Sequence, residues 1–358
     1  MEKKSIYINK LENANPTVHK KNSSRKYLKG IIFARAICCI GIIFYHYFGK
    51  SNGEFKLLRK TANSTFGFIF VTSFFCISGT VLYYNYPKIT SLRTFYFKRW
   101  KSIFPPYYIC YLFKLKNILP IHKLYFKYNW PRFFFTLIGM DTYLHYKYKT
   151  FALIGEWFLG PIIIIYILYP LLSWMMNINI LIINFITSVG YILMYRTNYF
   201  IIMKDVNIIT CVTSFYFGML AIKFENIFFK NKITFIVSFI IYTYLYLYKL
   251  RILILIGQIQ GFTLFILLVQ IGEYIMASRI KGIFIIISTL SYNIFLIHHG
   301  MIHYILGIYN PMKWYWHIFL FGITLILTMF YSKILLIIVN AMIQSHMFKK
   351  IEGLFIKT

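Results

Sequence analysis

The chain has 358 residues, 59% of them hydrophobic and 13% charged, with 39 Lys and Arg against 9 Asp and Glu for a formal charge of +30. A mean hydropathy of +0.63 excludes an ordinary soluble domain of this length, which would need a far more polar surface. The basic residues lie mostly in short segments between apolar runs, the pattern by which membrane proteins orient themselves. The charge is therefore read as a topology signal; no RNP, zinc or helix-turn-helix pattern supports nucleic-acid binding.

Residues 1–28 are rich in Lys, Asn and Ser, lack the apolar core and cleavage site of a signal peptide, and read as a cytoplasmic tail. Apolar segments then follow at 29–48, 65–86, 103–114, 152–175, 178–196, 206–223, 233–249, 252–276, 283–307 and 314–338. Each reads as a helix, because lipid offers no partner for unpaired backbone groups and nothing alternates like barrel strands. The expectation is an all-α polytopic protein of about ten transmembrane helices in the cell membrane, with a membrane domain over 29–340 and a cytoplasmic tail over 341–358.

The basic flanks at the N-terminus, Lys88–Lys101, Lys230 with Lys232, Arg279 with Lys281, and Lys349 with Lys350 fall on one side of a ten-span arrangement, which makes both termini cytoplasmic. Lys114–Lys149 is the exception: basic, yet on the opposite side, and containing the semi-apolar FFFTLIGM. Cys38, Cys39, Cys76, Cys110 and Cys211 all lie in apolar stretches without a C-x-x-C pair, and read as small core residues.

The first helix carries Arg35 and His46, eleven residues apart. At ~100° per residue they share one face, about 16 Å apart along the axis. Intramembrane ionisable groups mark function by default, against the plainer readings of a snorkelling arginine and an interhelical hydrogen bond. In FFCISGTVLYY, Ser78 and Gly79 either permit close helix approach or meet a ligand. In FYFKRWKSIFPPYY, Lys98, Arg99 and Lys101 could anchor to anionic lipid headgroups or bind a ligand's phosphates, and Pro105 and Pro106 read as a first helical turn. Glu156 in GEWFLGPIIIIYILYP suits a helix start or a catalytic role. His298 and His299 lie in a later span, with His303 one turn beyond His299; no further ligand set accompanies them, so no metal is expected.

RAICCIGIIFYH, FFCISG, FYFKRWKSIFPPYY, GEWFLGPIIIIYILYP and NIFLIHH, in this order, resemble the integral-membrane acyltransferase 3 family over most of the chain. The resemblance implies a bacterial enzyme of about ten helices that moves an acyl group, commonly acetyl from acetyl-CoA, to a hydroxyl of an envelope glycan or lipid-linked sugar. Arg35 and His46 match the family's first-helix pair, Arg99 the arginine of the third-helix motif, and Glu156 the acidic position of the later motif. Ser102 stands where the family often has a further basic residue, and Thr80 where it has an aromatic one.

That reading makes His46 the general base or a transient acyl carrier, with Glu156 orienting it or a sugar hydroxyl. Arg35, Lys98, Arg99 and Lys101 would neutralise CoA phosphates. Ser78, Tyr107, Trp157, His298 and His299 are supporting or substrate-contacting candidates. The competing class is a transporter or flippase of an anionic lipid-linked sugar, for which polar intramembrane residues are equally expected.

Overall fold

The computed structural model describes residues 24–51, 66–118, 130–154, 157–197, 203–247 and 254–355. Every regular element among them is helical, as closure of backbone hydrogen bonds within each segment requires in lipid. In chain order these are α1 (Ser24–Lys50), α2 (Phe66–Asn85), α3 (Leu92–Ile118), a 3₁₀ turn (Trp130–Arg132), α4 (Phe133–Leu137), α5 (Asp141–Leu144), α6 (Leu159–Ile178) and α7 (Ile180–Arg196). There follow α8 (Ile208–Lys223), α9 (Glu225–Phe228), α10 (Lys232–Leu247), α11 (Ile254–Ile275), α12 (Lys281–Ile308), α13 (Trp314–Gln344) and α14 (His346–Phe355).

Six stretches are long and apolar enough to cross a membrane: Lys29–Lys50, Phe66–Asn85, Leu159–Ile178, Leu255–Ile275, Lys281–Ile308 and Trp314–Gln344. The chain is thus a multi-pass membrane protein. Of the other segments expected to span, α7, α8 and α10 are apolar but only 17, 16 and 16 residues long. The fourth, α3, mixes basic and apolar residues.

Helix α3 begins at Leu92, well before the expected start at residue 103. Aromatic packing accounts for the difference: Phe95 stacks on Tyr169 at 5.4 Å and Phe97 on Phe355 at 5.1 Å, holding FYFKRWK against the bundle as helix. Pro105 and Pro106 consequently lie inside the helix and not in its first turn. The prolines withhold the amide donors that the Lys101 and Ser102 carbonyls would otherwise receive, and at the next carbonyl, that of Ile103, Tyr292 of α12 donates its hydroxyl at 2.9 Å and ties α3 to its neighbour. At the other end of the chain α14 returns onto α3, through an ion pair from Lys101 to Glu352 (2.7 Å) and a hydrogen bond from Arg93 to the Leu354 carbonyl. Residues 1–23 of the expected N-terminal tail lie outside the described residues.

Between helices in lipid, close fit and hydrogen bonds replace the hydrophobic drive. The tightest crossing joins α2 and α8. A Cβ at Gly79 would lie 1.9 Å from the Phe215 carbonyl oxygen, and one at Gly218 would lie 1.9 Å from that of Cys76. Thr80, beside Gly79, donates its hydroxyl to the Gly218 carbonyl at 2.8 Å. Thr80 therefore locks the crossing that its glycine neighbour permits. Likewise Ser73 of α2 donates to the Gly261 carbonyl of α11 at 2.9 Å, and Gln258 of α11 donates to Ser214 Oγ of α8 at 2.7 Å. Helix α1 packs on α11 and α12, and Tyr47 near its end donates to Nδ1 of His317, whose Nε2 in turn donates to the Pro311 carbonyl.

Overpacking a close crossing costs ~1–3 kcal/mol. Gly79→Ala is expected to lower the thermal midpoint of the detergent-solubilised protein by several degrees, whereas Gly322→Ala, on a helix face with nothing within 4 Å, leaves it unchanged. Thermal unfolding monitored by size-exclusion fluorescence checks both.

Candidate active site

Within the bundle α1, α2, α3, α6 and α12 enclose a cavity of about 310 Å³. Arg35, Arg99 and Ser102 stand on its wall towards the start of α1 and α3, and His298 of α12 on its wall towards the other end. Between them the lining is mainly apolar, from Ile42, Phe74, Phe158, Ile162 and Phe295, with Ser78 and Tyr166 adding hydroxyls.

At the arginine end, Arg99 rests against three rings, with Cζ 5.4 Å from the centroid of Tyr86, 5.9 Å from Phe95 and 5.7 Å from Tyr166. Such an aromatic surround holds the guanidinium by cation–π attraction while leaving its hydrogen-bond donors to other partners. Its Nε is buried and has no hydrogen-bond partner among the described residues. The ion pairs between described residues are Lys101–Glu352 and Lys230–Glu225, and neither involves Arg35 or Arg99. Two guanidiniums facing one cavity with an orphaned donor make a fit for a polyanionic group.

At the histidine end the periodicity of α1 carries His46 three turns from Arg35. Its ring centroid lies 4.2 Å from that of His299 and 5.3 Å from that of His298, and those two lie 4.5 Å apart. One nitrogen from each of the three comes within 4.8 Å of the others. His298 is fully buried, and its Nδ1–H donates to the Phe295 carbonyl at 2.8 Å, so the neutral ring presents an unprotonated Nε2. Three imidazoles this close could hold a metal ion, but two ammonium groups, those of Lys50 and Lys114, lie within electrostatic reach of His298 and His299 and oppose one.

The geometry thus unites residues that the sequence lists far apart. Arg35, Arg99, Ser78 and His298 share the cavity, and His46 and His299 adjoin it through His298. Others lie elsewhere. Lys101 is paired with Glu352, Lys98 is absent from the cavity wall, and Trp157 packs against the core beside Phe158. Tyr107 donates to the Thr136 carbonyl at 3.1 Å and borders a separate, water-sized space next to Asp141. Glu156 lies outside the described residues. Tyr166, Tyr86 and Lys114 had no motif to mark them; Lys50, one turn after His46, was visible by spacing alone.

Asp141 fixes the short segment over this end of the bundle. Its carboxylate accepts from Tyr111 (3.3 Å) and from the Phe151 amide (3.1 Å). Burial nevertheless pushes its carboxyl above the usual carboxylate range, so ionisation opposes folding and its contribution worsens as pH rises from the unfolded-state value to the raised one. The thermal midpoint of Asp141→Asn minus that of the parent protein is expected to be larger at about pH 8 than at about pH 4, measured by differential scanning fluorimetry.

A family model described as "Acyltransferase domain" matches residues 28–335. No curated protein and no solved structure matches the chain.

Proposed function

The chain belongs to this acyltransferase family, and on that premise we propose that it moves an acetyl group from acetyl-CoA, bound at the arginine end, to a hydroxyl of an envelope glycan or lipid-linked sugar at the histidine end. The observation that carries the reading is the single cavity walled by Arg35 and Arg99 at one end and by His298, backed by His46, at the other. Its volume of about 310 Å³ sits at the bottom of the ~300–1,000 Å³ range of small-molecule sites. It suits the thin thioester arm, with the nucleotide phosphates remaining at the arginine mouth.

In this reading the aromatic-held guanidinium of Arg99 and that of Arg35 bind phosphate oxygens, and the apolar lining from Ile42 to Phe295 takes the arm and excludes water that would hydrolyse the thioester. His46 accepts the proton of the acceptor hydroxyl, the oxygen attacks the acyl carbonyl to form the ester C–O bond, and the C–S bond breaks. The departing thiolate is protonated, and His46 returns to its neutral form. His298 stands between His46 and the cavity, where the carbonyl arrives, and its backbone hydrogen bond fixes its ring. Glu156 is proposed to orient His46 or the acceptor hydroxyl. The arginine end is assigned to the cytoplasmic side of the cell membrane, where acyl-CoA is made.

Two outcomes follow. In inverted membrane vesicles given radiolabelled acetyl-CoA, label enters the glycan fraction, and His46→Ala reduces it by at least ~100-fold, the usual worth of a general base. Label transfer at the parent rate in that variant would remove His46 from the chemistry. Arg99→Gln raises KM for acetyl-CoA by ~10-fold or more with a smaller effect on kcat, because a charge-assisted hydrogen bond contributes about 1.5–3 kcal/mol.

A further inference from the structure

Within the basic stretch Lys114–Lys149, the described residues Lys114, Arg132, Lys147 and Lys149 lie towards the histidine end of the bundle, and the reaction chemistry leaves them unexplained. Their placement is specific. Tyr107, Tyr108 and Tyr111, along the later half of α3, hydrogen-bond to Thr136, Leu137 and Asp141, which seats α4 and α5 as a cap at the histidine end. From α5 the chain runs through exposed residues 145–149 to Leu153, whose carbonyl accepts from Lys114 Nζ at 2.9 Å. Lys114 also passes beside Gly300, the residue after His299. From α1, Lys50 donates to His303 Nε2 at 2.6 Å. Both partners of that bond lie four residues beyond His46 and His299, whose ring centroids lie 4.2 Å apart, so it forms the next rung outward on the same two helix faces.

The exposed stretch adds Lys147 and Lys149, with Tyr146 44% and Tyr148 41% exposed. Tyr148 is held by stacking on Phe135 at 5.8 Å, and the backbone at Lys149 by a hydrogen bond from Arg132 at 2.8 Å. Lys147 lies with its Nζ 5.5 Å from the Tyr148 ring centroid, so the exposed tyrosines and the lysines form one patch that offers both halves of what an acidic sugar needs, partly apolar ring surface and cations for its anions. Among the described residues, the acids near this surface, Asp141 and Asp205, accept hydrogen bonds from the Phe151 and Val206 amides, and burial raises both carboxyls above their usual range.

We infer that the cap of residues 130–150, together with Lys50 and Lys114, is a binding surface for an acidic glycan, one bearing carboxylates or phosphates, which it guides to the histidine cluster. This rests on the acyltransferase reading only for what the bound glycan is used for; the binding itself can be measured without turnover.

The test uses the full chain in phosphatidylcholine nanodiscs, with tetragalacturonate and its methyl ester as probes, titrated by calorimetry. The acid is expected to bind with an affinity that falls with salt, the ester at least ~10-fold more weakly, and Lys147→Gln with Lys149→Gln to weaken the acid ~5-fold or more while the affinity for acetyl-CoA, titrated in the same nanodiscs, stays unchanged. Absence of acid binding, equal binding of the ester, or an unchanged affinity in the double variant would overturn the inference. So would a variant effect confined to weaker partition onto phosphatidylglycerol vesicles, which would assign the lysines to lipid headgroups. Failure of the parent protein to transfer label from acetyl-CoA to the glycan fraction in inverted vesicles would count instead against the acyltransferase reading, whatever the sugar titration shows.

Discussion

Every strongly polar side chain in the interior of a lipid-embedded bundle must either find a partner or border a space that a polar ligand enters, because hydrocarbon offers neither. Arg35, Arg99 and the three clustered histidines meet that constraint together. They sit on or beside one cavity, Arg99 held by ring faces and His298 by a backbone carbonyl. The rest of the architecture serves to keep that cavity open while the surrounding helices close: glycine against carbonyl where α2 meets α8, a hydroxyl hydrogen bond from α2 to α11 and an amide one from α11 to α8, and Tyr47 tied to His317 beside the histidines.

The two ends of the cavity differ in chemistry in a way that suits group transfer across a membrane. Guanidiniums are permanent cations with forked donors, fit for phosphate; neutral imidazoles carry a proton acceptor and little charge, fit for a hydroxyl. The apolar lining between them, in the proposed function, separates anion binding from proton transfer and keeps water from a bound thioester. Helix α3 ties the two ends together. Its early turns bring Arg99 to one, its later turns carry the cap and Lys114 to the other, and α14 buttresses its start through Phe97, Trp100 and Lys101.

Much of this was legible in the sequence, for identifiable reasons. The period of an α-helix is enough to place Arg35 and His46 on one face, and mean hydropathy is enough to place the chain in a membrane. The meeting of His46 with His298 and His299 lay beyond periodicity, because it depends on which helices are neighbours. The start of α3 was misjudged because its basic residues interrupt the apolar pattern, while the contacts that make it helical come from Tyr169 and Phe355, distant in sequence. Ser78–Gly79 was read as either packing or ligand contact, and the two residues divide the roles: Gly79 makes the crossing and Ser78 faces the cavity. Tyr107 of α3 lies buried outside the cavity wall and supports the cap, donating its hydroxyl to the Thr136 carbonyl.

The central claim is that the donor threads one cavity from the arginines to the histidines. The most direct measurement is a structure of the protein bound to a non-hydrolysable thioether analogue of acetyl-CoA. The account predicts phosphates against Arg35 and Arg99, the pantetheine arm along Ile42, Phe74 and Phe158, and the acyl carbonyl beside His298 within hydrogen-bond reach of the cluster. Density that placed the nucleotide at the histidine end, or left the cavity empty with the analogue bound elsewhere, would contradict it.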